Sequence, residues 1–178
     1  MQRVLVLGPG GAGKSVLSRE LAAITGLPLI HLDREFWKPG WVKPERDEWL
    51  AKLDELLAGE AWIVDGTHVD SLDHRLERAD GAIVLDYSRW VAVRGVLTRL
   101  MHREGRHRAD LAPGCRNRLD RVYASWVWTY QRVTKPQVEA ALARHAEHIT
   151  VTPLRSRRDA ARFVDRLRAT ATRGVINA

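Results

Sequence analysis

The sequence has a single cysteine, Cys115, among its 178 residues. A disulfide framework within the chain is therefore excluded, and a reducing compartment is the expectation. No uninterrupted apolar run approaches the ~20 residues that a membrane-crossing helix requires. The apolar part of the opening MQRVLVLG is too short for a secretory signal, so a cytoplasmic protein is expected. Internal repeats and low-complexity tracts are missing as well. Hydrophobic residues at 45% and charged residues at 29% exclude a disordered or fibrous chain. The length suits one compact domain spanning residues 1–178.

Lysine is absent from one long stretch. Residues 87–134 hold ten arginines and three acids but no lysine, and residues 155–173 hold seven arginines against two aspartates. Together these segments exceed the net charge of +7, so the remainder of the chain is net acidic. The arginine fork matches phosphate oxygens in pairs, which points to a nucleotide or a nucleic acid as partner. A solvated basic face is the plainer reading of the same charge.

What is present is an alternation of short apolar runs with helical patterns. RVLVLG reads as a buried strand, and SVLSRELAAITG as a helix with Val16, Leu17, Leu21 and Ile24 inward and Gly26 at its end. LPLIHL, AWIVDG, GAIVLDY and HITVTPL read as four further strands. RDEWLAKLDELLAG is an amphipathic helix with Trp49, Leu50, Leu53, Leu56 and Leu57 inward. A short helix lies around LDHRLERA, and residues 89–104 and 116–131 read as helical. Ser156, with Asp159 three residues later, opens the last helix. Strands that are apolar throughout, separated by helices, imply a parallel sheet covered on both faces. The expected fold class is a three-layer α/β domain with a five-stranded parallel sheet, whose chemistry sits at the carboxyl ends of the strands.

At the first of those ends stands GPGGAGKS, Gly8 to Ser15, which fits G-x-x-x-x-G-K-[ST] between a strand and a helix. Glycines at Gly8, Gly10, Gly11 and Gly13, with Ala12 between, let backbone N–H groups converge on phosphate oxygens. The helix N-terminus, with Lys14, Ser15 and Val16, adds a favourable dipole. Lys14 is assigned to the β- and γ-phosphates of ATP and Ser15 to Mg²⁺. Asp33, after the second strand, is assigned to the acceptor, and Asp65, ending the third, to the metal shell. The sequence permits the exchange of those two roles, and a cap beyond a strand is the plainer reading of each.

Arg99 and Arg103 share a helix face, and Arg106 follows in EGRHRADLAPGC, a lid-like insertion over about 104–116 that would close on the transferred group. His102, His107 and Cys115 fit no zinc spacing. His31 and His68 read as supporting residues. Beside Asp33, the loop DREFWKPGW brings Arg34, Phe36, Trp37 and Trp41, either as one wall of an acceptor pocket or as packing for the helix that follows. Trp126, Trp128 and Tyr130 read as packing rather than a base-stacking platform. The loop after VTPL, with Arg155, is assigned to the nucleotide.

GPGGAGKS, HLDREFWKPGW, WIVDGTH, RLMHREGRHR and APGC, in that order, resemble the bacterial adenylate-kinase-related proteins called DNA topology modulation protein, of the FlaR type. The resemblance runs from Val4 to about Val164. It implies a P-loop NTPase fold of the nucleoside-monophosphate-kinase type, ATP and Mg²⁺ as cofactors, and an arginine-rich lid, in which Arg99 and Arg103 match the R-x-x-x-R pattern. The two arginines with which adenylate kinases grip AMP are missing from HLDREFW and DGTHVDSLDHR. Arg34 and Arg75 are the candidates to replace them, with Gly66 beside the substrate. The chain is thus expected to be a phosphotransferase acting on a nucleotide or small molecule. The competing expectation is an ATP-binding regulator associated with nucleic acid.

Replacing Lys14 by Ala removes the charge facing the β- and γ-phosphates. MgATP affinity measured by calorimetry is expected to fall roughly 10- to 100-fold, the range for losing a charge-assisted hydrogen bond. Unchanged affinity with unchanged turnover would refute the assignment.

Overall fold

The computed structural model describes residues 1–101, 110–115 and 121–176. Its centre is β1 (Arg3–Leu7), a strand whose successive side chains point to opposite faces. Val4 and Val6 pack with Leu17 and Leu21 of α1 (Lys14–Thr25) and Val164 of α7 (Arg157–Ile176). Leu5 and Leu7 pack with Trp49 and Leu53 of α3 (Arg46–Leu56), Leu72 of α4 (Leu72–Leu76) and Val138 of α6 (Arg121–Arg144). Both faces of the strand are therefore dry, which is why RVLVL has no polar alternation.

Among the described residues, five strands form one parallel sheet in the order β2-β3-β1-β4-β5, with β2 at Leu29–His31, β3 at Trp62–Asp65, β4 at Gly81–Leu85 and β5 at Thr150–Leu154. The three-layer α/β expectation holds. The register sets His31 of β2 beside Asp65 of β3, and Asp65 beside Val6 of β1, so the carboxyl ends of the three strands converge where β1 gives way to Gly8. No helix among the described residues is long and apolar enough to cross a membrane.

Helix ends follow local chemistry. Gly26 stops α1 at φ 72°, with its N–H on the Ala22 carbonyl. At the start of α7 the Asp159 N–H donates to Ser156 Oγ at 3.1 Å, and Asp159 Oδ2 accepts the Arg155 N–H at 3.1 Å. Two details differ from the sequence reading. Val16 points outward at 53% exposure, because Leu17, Ser18 and Leu21 form the inward stripe of α1. The helix expected to end at 131 continues to Arg144 through Pro136. A proline inside a helix costs about 3 kcal/mol, but Val138, Ala141 and Leu142 are buried beyond it. Burying a side chain of valine or leucine size recovers roughly 1.5–3 kcal/mol.

Helix α5 (Arg89–Met101) lies against the glycine-rich loop so closely that a Cβ on Gly95 would collide with the carbonyl oxygen of Gly11. Propensity alone says that Gly95→Ala should stabilise the helix by about 1 kcal/mol. Here the methyl would push α5 off the loop, so the opposite is expected: a lower Tm and weaker MgATP binding, measured by thermal unfolding and calorimetry.

Candidate active site

The chain leaves β1 at Leu7 and turns immediately into the loop Gly8–Gly13. Gly11 and Gly13 have φ of 78° and 97°, backbone that a side chain would strain. The outside of the loop is pressed by its neighbours: a Cβ on Gly10 would meet the Tyr123 hydroxyl, and one on Gly11 the Ala92 carbonyl. The Ala12 N–H bonds to the Pro9 carbonyl, and those of Val16 and Leu17 bond to Gly13. The N–H groups of Gly11, Gly13 and Ser15 have no protein acceptor among the described residues. Such a row of donors at a helix N-terminus is suited to phosphate oxygens. Lys14 Nζ rests on the carbonyls of Gly8 at 2.9 Å and Pro9 at 3.0 Å, so its charge stays at the loop.

Thr67 fastens this loop to the sheet. Its Oγ1 accepts the Gly8 N–H at 3.0 Å and donates to the Gly8 carbonyl at 2.8 Å. Burial pushes Tyr130 far above the usual phenol range and keeps it protonated. Nothing in the sequence reading assigned Thr67. The available signal was its position two residues past Asp65, at the carboxyl end of a central strand.

Asp65 is 5% exposed. Its Oδ2 accepts from His31 Nδ1 at 2.9 Å, and its Oδ1 is buried with no partner among the described residues. A buried, unsatisfied carboxylate oxygen at the end of β3, beside β1, fits Mg²⁺ or one of its waters. No group of three or more His, Cys, Asp or Glu side chains placed to hold a metal ion occurs among the described residues.

Asp33 lies in the first turn of α2 (Leu32–Phe36), and its side chain is 47% exposed. Its Oδ1 accepts from His68 Nε2 at 2.8 Å. Each candidate carboxylate therefore has a histidine partner, a role the sequence left as merely supporting.

Arg75 requires a correction. Expected at the acceptor, it is completely buried. Its Nε donates to the Ser71 carbonyl at 3.2 Å, Nη1 to Gly66 at 2.9 Å, and Nη2 to Thr67 at 2.6 Å and His68 at 2.8 Å. Burial lowers it to about 9, so the guanidinium remains charged at neutral pH. Its fork thus holds the turn that carries Gly66, Thr67 and His68 and does not face a substrate.

The aromatic residues of DREFWKPGW pack against one another and against α3, as the packing reading expects. Phe36 stacks edge-on against Trp37 at 4.9 Å and Trp49 at 5.0 Å, and Trp37 against Trp41 at 5.3 Å. A cavity of about 290 Å³ opens among Arg34, Phe36, Trp37, Pro39, Trp49 and Pro113. Lys38 pairs with Glu48 at 2.7 Å and Lys52 with Glu35 at 2.8 Å along its edge. Cys115 Sγ donates to the Lys38 carbonyl at 3.4 Å, and Gly114 abuts Pro39. The KPG and APGC stretches, distant in sequence, thus form one contact.

Arg99 donates through Nη2 to the Tyr123 hydroxyl at 3.1 Å, and its guanidinium lies 5.7 Å from that ring's centre. Because the Tyr123 hydroxyl abuts Gly10, Arg99 stands one side chain from the loop. Arg103, Arg106, His102 and His107 lie outside the described residues. Arg155 is exposed at the junction of β5 and α7. Trp126 and Tyr130 pack edge-on at 5.8 Å, whereas Trp128 sits outside, 44% exposed, against Trp90 and beneath Arg89.

No protein-family model and no curated protein matches the chain. Solved structures do. A gluconokinase from Sinorhizobium meliloti 1021 is 21% identical, with 99% of this chain and 94% of that chain covered and a TM-score of 0.52. Shikimate kinase from Acinetobacter baumannii, in complex with shikimate, is 15% identical over 94% of this chain and 90% of that chain, with a TM-score of 0.56. Deoxyadenosine kinase from M. mycoides, with dCMP and dCDP bound, is 15% identical over 98% and 99%, with a TM-score of 0.50. With the parallel five-stranded sheet and the loop Gly8–Ser15, these place the chain in the P-loop kinase fold.

Thr67→Val keeps the shape of the side chain but removes its two hydrogen bonds to Gly8. MgATP affinity is expected to fall about tenfold as the loop loosens, since each bond is worth roughly 1 kcal/mol. Calorimetry that returns wild-type affinity would show that the loop holds its shape without this clasp.

Proposed function

We propose that the protein is a cytoplasmic, ATP-dependent phosphotransferase of the nucleoside-monophosphate-kinase-like class, which moves the γ-phosphoryl group of ATP to a small acceptor. The observation that carries this reading is the juxtaposition of the glycine loop and Lys14 with a buried carboxylate, Asp65, that keeps one oxygen unsatisfied. Gly8–Gly13, Lys14, Ser15 and Val16 hold the triphosphate, and Arg155 borders the nucleotide. Ser15 and Asp65 would hold Mg²⁺, which when bound neutralises charge on the phosphates. Asp33 orients the acceptor and takes its proton, and Arg34, Trp37 and Gly66 border the acceptor site. Arg99, with Arg103 and Arg106, balances the charge of the transferring group.

The acceptor favoured is one that offers a hydroxyl. Arg75 is tied to carbonyls, and Lys38 and Lys52 are paired with Glu48 and Glu35. In that state Arg75, Lys38 and Lys52 give little grip on an acceptor phosphate. Labelled ATP with Mg²⁺, screened against alcohols, sugars, nucleosides and nucleotides, tests the reading directly. Asp33→Asn is expected to lower turnover on the acceptor so found by a factor of ~10² or more, with ATP affinity nearly unchanged. Turnover that survives intact would make Asp33 a cap.

One observation favours a second reading, that of an ATP-binding regulator on nucleic acid. Arg157, Arg158, Arg162 and Arg166 of α7 are exposed, and so is Arg155 just before it. An outward basic stripe suits a polyanion. On that reading each arginine lost lowers the salt slope of DNA binding by roughly one per phosphate contact, without touching turnover.

A further inference from the structure

His68 is held in a conformation that side chains avoid. Its φ is 26° and ψ 76°, and among the described residues only Trp41 is another non-glycine residue at positive φ. Such backbone costs on the order of 1–3 kcal/mol and persists only where the surroundings impose it. Here they do so from both sides. The His68 carbonyl accepts from Arg75 Nη2 at 2.8 Å and from the Ser71 N–H at 3.2 Å. The imidazole, 16% exposed, lies against Phe36 with ring centres 4.7 Å apart and near Trp49 at 6.4 Å. The restraint has one visible product, the 2.8 Å contact from Nε2 to Asp33 Oδ1. An ionised carboxylate can only accept, so Nε2 carries the hydrogen.

We propose that His68 is a positioning residue of the acceptor site: clamped by the buried Arg75, it fixes the Asp33 carboxylate in the orientation that receives the acceptor's proton. The inference rests on the phosphotransferase reading. In the step it serves, a bond forms between the acceptor oxygen and the γ-phosphorus. The bond from that phosphorus to the β-bridging oxygen breaks, ADP leaves with that electron pair, and the acceptor's proton passes to Asp33. His68 exchanges no proton. It holds one carboxylate oxygen and thereby sets the direction of the other.

The test uses the full chain with MgATP, reading phosphate release to water and transfer to the best alcohol from the screen. His68→Phe keeps a ring against Phe36 and Trp49 but lacks the donor. It is expected to lower kcat roughly 10- to 100-fold while the KM for ATP moves less than about twofold. His68→Gln, which returns an N–H near the place of Nε2, is expected to recover the rate to within about threefold of wild type. In an Asp33→Asn background, His68→Phe should cost almost nothing further, because both changes remove the same oriented group. Should the Phe variant not fold, imidazole ¹⁵N spectra of Asp33→Asn decide instead. The hydrogen-bonded Nε2–H signal of His68 is expected to shift, and an unchanged signal overturns the proposal. Wild-type kcat in His68→Phe, or losses that add to those of Asp33→Asn, refutes the positioning role and leaves the kinase reading standing. Wild-type protein that binds MgATP but releases phosphate neither to water nor to any acceptor overturns both.

Discussion

Arg75 places a full positive charge in the interior, where its hydrogen bonds among the described residues go to the carbonyls of Gly66, Thr67, His68 and Ser71 and to no carboxylate. Leaving one of those donors unmade would cost a buried charged group on the order of 1–3 kcal/mol or more. The turn after β3 is consequently pinned at four points by one side chain. Three contacts leave that turn in three directions: Asp65, at its start, meets His31, Thr67 clasps Gly8, and His68 reaches Asp33. The glycine loop and Asp33 therefore share one piece of backbone as their support. A shift at either would have to be carried through the same four hydrogen bonds.

The loop itself is shaped from outside as much as from within. Ala92 and Gly95 of α5 touch Gly11, and Tyr123 of α6 touches Gly10. Tyr123 also holds Arg99. The aromatic loop is held in a similar way, where Cys115 and Gly114 rest on Lys38 and Pro39. Glycine recurs at these contacts because an added Cβ would meet backbone at Gly11 and Gly95, the Tyr123 hydroxyl at Gly10 and Pro39 at Gly114.

The sheet and the phosphate loop were legible because both are local. A run of apolar residues ending in GPGGAGKS reports its own burial and its own turn, and Ser156 with Asp159 reports its own cap. Arg75 misled because composition carries no information about direction. An arginine after a strand reads the same whether its fork meets a phosphate or the chain's own carbonyls. Thr67, His31 and His68 were missed or undervalued for a related reason, since their partners Gly8, Asp65 and Asp33 lie 59, 34 and 35 residues away. Those pairs exist only once the strand order β2-β3-β1 has brought the carboxyl ends together.

That strand order also separates two carboxylates that the sequence left interchangeable. Asp65 ends an inner strand, and at 5% exposure it has no room for an arriving substrate, only for something as small as a metal ion or its water. Asp33 lies past the edge strand β2 on a short helix, and at 47% exposure it can be approached from solvent. A metal-supporting group gains from a dry, fixed position, where each electrostatic contact is stronger. A group that must greet successive acceptors has to stay open and needs a separate means of keeping its direction. Burial orients Asp65, and for Asp33, which burial does not reach, the histidine takes that part. The different depths of the two aspartates therefore argue for assigning the metal to Asp65 and the acceptor to Asp33.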